Sequence, residues 1–369
     1  MLRAYKTRLY LNNRERTWCK QCAGAARWCY NWGLDAMIVA YKSGRKTSMF
    51  SEKKRLNDIK DTVAPWLRDV PYVVLQGAFD NLSRAYENFF RRVKQGAKEK
   101  GFPKFKSRKN PTQSFTLRGD IRATETKVKL PRIGWLRLAE HGYLPTAKRA
   151  HILFATLSSQ DHGLTWHISL QVDETLPEPE APVGPVMGLD VGIHHLVATS
   201  DGMIYDNPRA MENVQRKVNR LSREMARRKK GGANWHKTVS KLNRAHAKVR
   251  NVRAYVLHNV SSQIIARKPR AIVIEDLNVK GMLANHHLAR AISDVAFGEL
   301  RRQLEYKAAW AGVGVVVADQ WYPSSKTCSE CGHVRDTLTL AEREYVCPAC
   351  GMVLDRDVNA ARNLAALAV

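Results

Sequence analysis

Four cysteines near the end of the printed sequence have the spacing of a metal site. Cys328, Cys331, Cys347 and Cys350 form the pattern C-x2-C-x15-C-x2-C, which is typical of a zinc ribbon. A glycine follows each pair, and glycine permits the tight turn that directs two thiolates toward one ion. Four thiolates complete a tetrahedral coordination sphere. The pattern therefore predicts one structural Zn²⁺ with no open position for a substrate.

The other three cysteines, Cys19, Cys22 and Cys29, lack the partners that a zinc site requires. Their segment also contains C-x2-C, but it has a helical pattern, with no second pair and no histidine nearby. Buried cysteines of this kind behave as small apolar side chains. We expect these three to be core residues.

Acidic residues interrupt two apolar segments of the second half. Asp190 lies in "MGLDVGI", in the middle of a predicted strand, and Glu275 ends the predicted strand in "AIVIEDLN". A carboxylate among apolar residues is unfavourable unless it is paired, hydrogen-bonded or bound to metal. Asp355 and Asp357 begin a predicted helix in "DRDVNAARN". Either aspartate can cap that helix or supply a third acid.

Three carboxylates from two strands and a helix suit a site for two metal ions. Two Mg²⁺ ions about 3.5–4 Å apart stabilise the attacking and leaving oxygens in phosphodiester hydrolysis. Hard cations require oxygen ligands, which explains carboxylates here and thiolates at the ribbon. His194 and His195 follow the first acid, and we interpret them as strand residues rather than ligands.

In the first half, the predicted elements are a strand, several helices and then a series of short strands. Residues 3–11 alternate as a strand, residues 12–96 have helical patterns, and residues 114–172 form short strands separated by turns. The apolar stripe along residues 72–93 is expected to be core. We predict a small β-barrel or sandwich of residues 1–11 and 112–172, with residues 12–111 as a helical insertion.

The second half has the pattern of an α/β domain with a mixed sheet. An acidic, proline-rich linker is predicted at 173–185, and a pair of antiparallel helices at 211–268, broken at 229–234. In the last helix we expect Val358, Ala361 and Leu364 to face inward. The predicted domains are the α/β domain at 186–321, the ribbon at 322–352 and a final α/β segment at 353–369.

The charge of the chain predicts a polyanionic partner. Lys and Arg number 61 against 34 Asp and Glu, a formal charge of +27, and contacts with phosphates release condensed counterions. The alternative is a solvated basic surface or a ribosome-associated protein. No apolar run is long enough to span a bilayer and the N-terminus has no apolar signal region, so we expect a cytosolic protein with reduced thiols.

Candidate nucleic-acid contacts fall in three places. Basic residues alternate with aromatic residues at 101–110, a combination that suits backbone contact and base stacking. The helix pair is rich in Arg and Lys that either follow phosphates or form a solvated face. Gln76 is a candidate for reading DNA. The other candidates are Phe102, Lys104, Phe105, Lys106, Arg108, Arg216, Lys217, Arg227, Arg228, Lys229 and Lys230.

Taken in order, the motifs of the second half resemble one protein family. "GLDVGIHHLVATSDG", "IVIEDLN", "SSKTCSECGH", "CPACG" and "DRDVNAARN" closely resemble TnpB, the transposon-encoded RNA-guided nuclease that is similar to type V CRISPR effectors. "VLQGAFDNLSRAYENFF" and "GFPKFKSRKNPTQSF" look like the family's N-terminal half, so the resemblance covers nearly the whole chain. The ordered set is specific, whereas no single motif is.

The resemblance implies a RuvC-like domain with an RNase H fold and an inserted ribbon. It makes Asp190, Glu275 and Asp357 the Mg²⁺-binding, catalytic acids, and leaves Asp355 a supporting or capping role. It also implies a guide RNA from the transposon end, cleavage of double-stranded DNA, and a short target-adjacent motif read by the N-terminal half. We expect a nucleoid-associated monomer in a prokaryotic host. As a hypothesis, closing the ribbon directs Asp357 toward the metals.

Three other classes of protein share part of this pattern. An actin-like ATPase has a similar first strand, but it needs a second phosphate loop and an adenosine motif that are missing from the sequence. A guided DNA-binding protein that has lost cleavage would lack some of the acids, and all three are present. A strand-joining transposase would need a nucleophilic tyrosine in a histidine-rich context, which the sequence lacks.

Overall fold

The computed structural model of the protein describes residues 2–146, 150–175, 178–339 and 342–368. It divides into two compact units, Met1–Leu176 and Pro177–Val369. The domain boundaries given above remain predictions. Parts of the predicted β domain, linker, ribbon and final segment lie outside the described residues, namely Met1, Ala147, Lys148, Arg149, Leu176, Pro177, Leu340, Ala341 and Val369.

The first unit contains a seven-stranded antiparallel sheet in the order β2-β6-β7-β1-β5-β4-β3. Strand β1 lies inside this order, where its Leu9 pairs with Trp166 on one side and Leu138 on the other. Closure of the sheet into the expected barrel remains a prediction. The strands are β1 (Leu2–Tyr10), β2 (Gln113–Leu117), β3 (Arg122–Ala123), β4 (Lys127–Leu130), β5 (Gly134–Leu138), β6 (Ala150–Ser159) and β7 (Trp166–Glu174).

Three helices separate β1 from β2, as the sequence predicts. Helix α1 begins with a capping box formed by Asn12 and Glu15. Farther along the helix, Gly33 lies so close to Phe79 that a Cβ there would stand 2.9 Å from the ring. The first half of the third helix is buried core, but Phe90 is 61% exposed, so the expected core stripe ends near Leu82. The helices are α1 (Asn13–Lys42), α2 (Met49–Val63) and α3 (Tyr72–Lys94), with a 3₁₀ turn at Pro65–Asp69.

The second unit contains a five-stranded mixed sheet in the order β10-β9-β8-β11-β12. The three strands β8, β11 and β12 are parallel, and β9 and β10 run antiparallel to their neighbours. A separate two-stranded hairpin belongs to the ribbon. The strands are β8 (Gly184–Asp190), β9 (His195–Thr199), β10 (Ile204–Asp206), β11 (Pro269–Glu275), β12 (Gly314–Ala318), β13 (Glu344–Val346) and β14 (Val353–Asp355).

The helices of the second unit include the expected antiparallel pair. Val218, Leu221 and Ala245 form a small core between its two members, and the Thr238 hydroxyl donates to Glu224 across the pair. None of the helices that the structure describes is long and apolar enough to cross a membrane. The helices are α4 (Gln215–Arg227), α5 (Ala233–Ala266), α6 (Val279–Met282), α7 (Ala289–Val295), α8 (Phe297–Ala311) and α9 (Arg356–Ala366), with a 3₁₀ turn at Glu212–Val214.

The last helix, α9, packs directly on the backbone of β8. Val358, Ala361 and Leu364 are buried, as the helical pattern predicts. At Gly188, a Cβ would collide with the carbonyl oxygen of Ala361 and stand 2.6 Å from the Ala365 nitrogen. The glycine therefore sets the distance between helix and strand. This packing carries the start of α9 to the end of β8.

We predict that Gly188→Ala destabilises the protein because the added methyl group meets helix backbone, which cannot move aside as a side chain can. Overpacking of this kind costs about 1–3 kcal/mol. Gly298→Ala in α8 is the matched control, because nothing lies within 4 Å of its Cβ position. Thermal unfolding of both variants measures the difference. Equal midpoints would contradict the close approach.

Candidate active site

Two of the candidate acids end neighbouring parallel strands. Leu189 of β8 pairs with Ile274 of β11, so the next residues, Asp190 and Glu275, emerge side by side at the carboxyl edge of the sheet. Ligand sites of open α/β sheets lie at this edge. The expectation of a mid-strand Asp190 is wrong, since β8 ends at that residue. The chain turns away there, and Asp190 as a whole residue is half-buried.

The third acid lies in the first turn of α9. The hairpin strand β14 runs straight into the helix, and Asp355 at the junction accepts hydrogen bonds from the backbone nitrogens of Asp357 and Val358 at 2.9 and 3.1 Å. Asp355 is therefore the N-cap. Asp357 is 8% exposed, and its carboxylate lies 3.3 Å from the Arg356 guanidinium.

All three acids line one open cavity of about 920 Å³. Their carboxylates are less tightly gathered than the cysteine thiols: in the described part of the chain, only the four cysteines form a group of three or more metal-ligand side chains within 4.8 Å of one another. Cationic side chains share the wall with the acids. They are Arg209, Arg290, Lys326, Arg343 and Arg356, and the histidines His194 and His287 also line the cavity.

The electrostatics of the cavity favour a bound cation. Burial raises the pKa of the Asp190 carboxyl well above its usual range, and the charges of Glu275 and Asp357 raise it further, whereas Arg356 lowers it. Negative charge is thus concentrated beyond what the neighbouring arginine offsets. Carboxylate oxygens that line one cavity fit a hard divalent cation such as Mg²⁺.

Sequence reasoning missed two partners of these acids. The Ser324 hydroxyl donates to Glu275 at 2.6 Å, and Arg356 pairs with Asp357. The signal for Arg356 was its position between two aspartates. No local signal joins Ser324 to Glu275, because the two residues are 49 positions apart.

Asp294 is a buried acid of the same cavity with a structural role. Its carboxylate pairs with Arg253 at 2.6 Å and accepts from the Met211 nitrogen at 2.9 Å. This ion pair ties α7 to α5 and to the segment before α4. Because its charge is matched within the fold, Asp294 is not a candidate ligand.

The four ribbon cysteines have the geometry of a tetrahedral zinc site. The Sγ atoms of Cys328 and Cys350 lie 3.7 Å apart, and those of Cys331 and Cys347 lie 3.6 Å apart. Zn–S bonds of about 2.3 Å place tetrahedral sulfurs about 3.8 Å apart, whereas a disulfide requires about 2.05 Å. The donors therefore fit Zn²⁺.

Both halves of the ribbon turn in the same way. Gly332 and Gly351 have φ of +73° and +76°, and each donates its N–H to the first cysteine of its pair at 3.0 Å. Glycine adopts this conformation without strain. The role expected for these glycines is thus confirmed.

The cysteines of α1 are core residues, as expected. Cys19, Cys22 and Cys29 are fully buried. Burial raises the pKa of Cys19 and of Cys29 to about 12, so these thiols stay protonated and inert.

Three family models match different parts of the chain. The model described as "Probable transposase" matches residues 167–286, and "Cas12f1-like, TNB domain" matches residues 297–364. A "Helix-turn-helix domain" model matches residues 1–46, where the structure has β1 and the single helix α1. Together the matches extend over both units.

Two relatives align with almost the whole chain. A protein of Streptomyces pristinaespiralis, named "Putative RNA-guided DNA endonuclease", is 37% identical over 99% of this chain and 89% of its own length. The chain belongs to the TnpB family. An Escherichia coli (strain K12) member, named "Putative RNA-guided DNA endonuclease InsQ", is 30% identical and aligns over 99% of this chain and 92% of its own length.

A solved structure shares the fold of this TnpB-family chain. The cryo-EM structure of a Cas12f1–sgRNA–target DNA complex matches with a TM-score of 0.54 and 15% identity, over 94% of this chain and 81% of that chain. At this identity the likeness concerns the fold alone. It supports a mixed α/β, multidomain architecture of the type V effector kind.

In the first unit of the TnpB-family chain, the candidate nucleic-acid residues differ in exposure. Phe102 and Phe105 are 46% and 55% exposed, and Lys104 and Arg108 are exposed with them. Lys106 is also exposed as a residue, but its Nζ lies 4.0 Å from the Tyr30 ring centroid, and partial burial of the ammonium group lowers its pKa. Gln76 is half-buried on α3.

On the helix pair, five of the six candidate basic residues are exposed. Arg228 is the exception, because it pairs with Glu224 and donates to the Asn234 carbonyl at 2.6 Å. Contact with nucleic acid remains a prediction for the whole set. The exposed members are Arg216, Lys217, Arg227, Lys229 and Lys230.

The two histidines after the first acid have separate positions. His195 begins β9, but His194 lies in the turn before it and lines the cavity. The interpretation of both as strand residues is therefore wrong for His194. Asp190 ends β8 early, and the turn follows at once.

We predict that Cys347→Ser abolishes stoichiometric zinc binding, because a hydroxyl is a poor substitute for a thiolate ligand. Elemental analysis should give about one zinc per chain for the wild type and far less for the variant. Cys22→Ala is the control, since Cys22 is buried in α1 and does not belong to the cluster of four cysteines. Equal zinc in Cys347→Ser and wild type would refute the assignment.

We predict that Asp190→Asn stabilises the zinc-loaded protein in magnesium-free buffer at neutral pH. Because the pKa of the Asp190 carboxyl is raised in the folded protein, the wild type loses stability as the pH rises and this carboxyl ionises. Asparagine does not ionise, so the variant keeps that stability. The gain should widen as the pH rises above the usual range of an aspartate carboxyl. Added Mg²⁺ should raise the melting midpoint of wild type only.

Asp206→Asn is the control for this charge effect, because the Asp206 side chain is 93% exposed. It should leave the midpoint and its response to Mg²⁺ unchanged. A wild-type midpoint that ignores Mg²⁺ would argue against a cation site at Asp190.

Proposed function

We propose that the chain is an RNA-guided DNA endonuclease of the transposon type, and that it cleaves double-stranded DNA next to a short target-adjacent motif. The observation that carries the proposal is the meeting of Asp190, Glu275 and Asp357 in one cavity. The names of the two near full-length relatives support it, as does the net charge of +27.

The fold proposed for the second unit is RuvC-like, of the RNase H type. Its support is the strand order β10-β9-β8-β11-β12, in which an antiparallel meander leads into two parallel crossover strands. Two of the acids stand at the ends of β8 and β11, the central neighbours of that sheet, and the third stands on the final helix. The ribbon is then an insertion between β12 and α9.

Asp190, Glu275 and Asp357 would hold two Mg²⁺ ions. When bound there, one ion would activate the attacking water and the other would stabilise the leaving oxygen of the phosphodiester. The neighbouring strands hold two of the carboxylates on rigid backbone, and α9 brings the third from above the sheet. Ser324 orients Glu275, and Arg356 offsets the charge of Asp357.

The cationic wall of the cavity would bind the substrate backbone. Arg209, Lys326 and Arg343 line the cavity beside the acids, and their charges suit the phosphates that flank a scissile bond. The segment around Phe102 and the exposed face of α4 would contact guide RNA or target DNA. Base stacking on exposed aromatic rings and phosphate contact by Lys and Arg are the interactions expected there.

A guide RNA from the transposon end would select the target. The target-adjacent motif would be read by the first unit, with Gln76 as a candidate. The domain boundaries predicted from the sequence, a monomeric state and a nucleoid-associated location belong to the same proposal.

We predict that Asp190→Ala abolishes cleavage and preserves guided binding, because it removes a metal ligand without touching the nucleic-acid surfaces. The protein is produced with its transposon flank, the bound RNA is sequenced, and plasmids with a matching target behind a randomised flank are supplied with Mg²⁺. Asp206→Ala should cut like wild type.

RNA-dependent cuts beside one short motif would support the proposal. Guided binding by the wild type without cuts would make the protein a guided repressor, and cutting that ignores RNA would leave an unguided nuclease. Undiminished cutting by Asp190→Ala would remove the site assignment.

A further inference from the structure

Asn359 of α9 holds the backbone on both sides of a ribbon cysteine. Its Nδ2 donates to the carbonyl of Thr327 at 2.7 Å, and its Oδ1 accepts from the nitrogen of Ser329 at 2.9 Å. Thr327 and Ser329 flank Cys328, a member of the cysteine cluster. The Asn359 side chain is fully buried. One side chain thus fixes the first cysteine pair against the helix that carries Asp357.

Asn363, one turn later, extends the same contact toward the carboxylate cavity. Its Nδ2 donates to the carbonyls of Ser324 and Thr327 at 2.7 and 2.6 Å. The hydroxyl of Ser324 in turn donates to Glu275. Residues four apart lie on one face of a helix, so both asparagines address the same segment, 323–329.

Buried asparagines in the middle of a helix need an explanation. Asparagine is a poor helix former, and a buried amide is unfavourable unless it is hydrogen-bonded. Here both amides donate to the backbone of segment 323–329, and that of Asn359 also accepts from it. Leaving such a buried group unpaired is unfavourable, so these hydrogen bonds hold helix and segment together.

We propose that Asn359 and Asn363 are positioning residues that couple the zinc-bound cysteine cluster to the carboxylate cavity. With zinc in place, Cys328 fixes Thr327 and Ser329, the asparagines fix α9, and Ser324 stays on Glu275. Without zinc, the segment around Cys328 is no longer fixed, the asparagines no longer hold α9 in place, and the first turn of α9, which carries Asp357, loosens. The cleavage part of this inference rests on the proposed function.

The chain provides a matched control on the same helix. Arg362 also reaches the ribbon, through an ion pair with Glu330 at 3.4 Å, but the two side chains are 42% and 59% exposed. Exposed pairs of this kind contribute little to stability. Arg362→Ala therefore removes a contact between the same two segments without removing the coupling.

The first test measures hydrogen exchange of residues 356–363 in the full chain, with and without zinc, and needs no activity. Zinc removal should speed exchange at least about fivefold in wild type and in Arg362→Ala. This factor corresponds to the smallest cost expected for an unpaired buried polar group. In zinc-loaded Asn359→Ala these residues should already exchange fast, and zinc removal should raise their exchange rate by less than about twofold. A wild-type response in Asn359→Ala would overturn the coupling.

The second test measures single-turnover cleavage and target affinity of zinc-loaded protein with guide RNA and Mg²⁺. Residues that orient metal ligands typically change activity about 10-fold to 100-fold, and Asn359→Ala should lose that much in rate with unchanged target affinity. Arg362→Ala should stay near wild type. An unchanged rate in Asn359→Ala would overturn the proposal even if its exchange is fast.

Ser324→Ala separates coupling from misfolding. It removes only the hydroxyl bond to Glu275, so exchange in α9 should stay as in wild type and cleavage should fall about tenfold. Normal cleavage by Ser324→Ala would contradict the link to Glu275. If wild type cuts no guided target, the proposed function fails, while the exchange comparison still decides whether zinc and α9 are coupled.

Discussion

The close packing of α9 on β8 is the constraint on which the second unit depends. Gly188 allows backbone to meet backbone, and a Cβ at this position would collide with α9. Because α9 is fixed at that distance, the carboxylate in its first turn reaches the edge where β8 and β11 end. A site assembled from residues 190, 275 and 357 thus results from one helix–strand contact and one parallel strand pair.

The second unit carries two different sets of candidate metal ligands along a short stretch of chain. Soft thiolates form the ribbon, where four sulfurs leave no room for a substrate, and hard carboxylates line an open cavity. The strand β14 ends at Asp355, which caps α9, and Asp357 follows at once. The ribbon hairpin therefore continues directly into the helix that carries Asp357, and the asparagines of α9 bond this helix to the segment around Cys328.

Local signals in the sequence sufficed for much of this site. The cysteine pairs were recognisable because their ligands are close in sequence, and Asp190 and Glu275 because a carboxylate in an apolar strand is conspicuous. The choice of Asp357 over Asp355 came from family resemblance, and the N-cap bonds of Asp355 give a physical reason for its separate role. The zinc-site geometry and the helix pair agree with what spacing predicted.

Long-range contacts were beyond such signals. Periodicity along α3 identifies an apolar face, but it cannot show where the covering neighbour ends, so Phe90 was wrongly expected in the core. The place of β1 between β5 and β7 depends on pairings more than a hundred residues apart. Ser324 and Glu275 meet only because the segment before the ribbon returns to the sheet.

The most direct test of the central claim is anomalous scattering from crystals of zinc-loaded protein soaked in Mn²⁺, a substitute for Mg²⁺. The account predicts manganese between Asp190, Glu275 and Asp357, as two peaks about 3.5–4 Å apart once a nucleic-acid strand is bound. The zinc peak among the four cysteines serves as the internal standard. A clear zinc peak with no manganese at the three carboxylates would contradict the account.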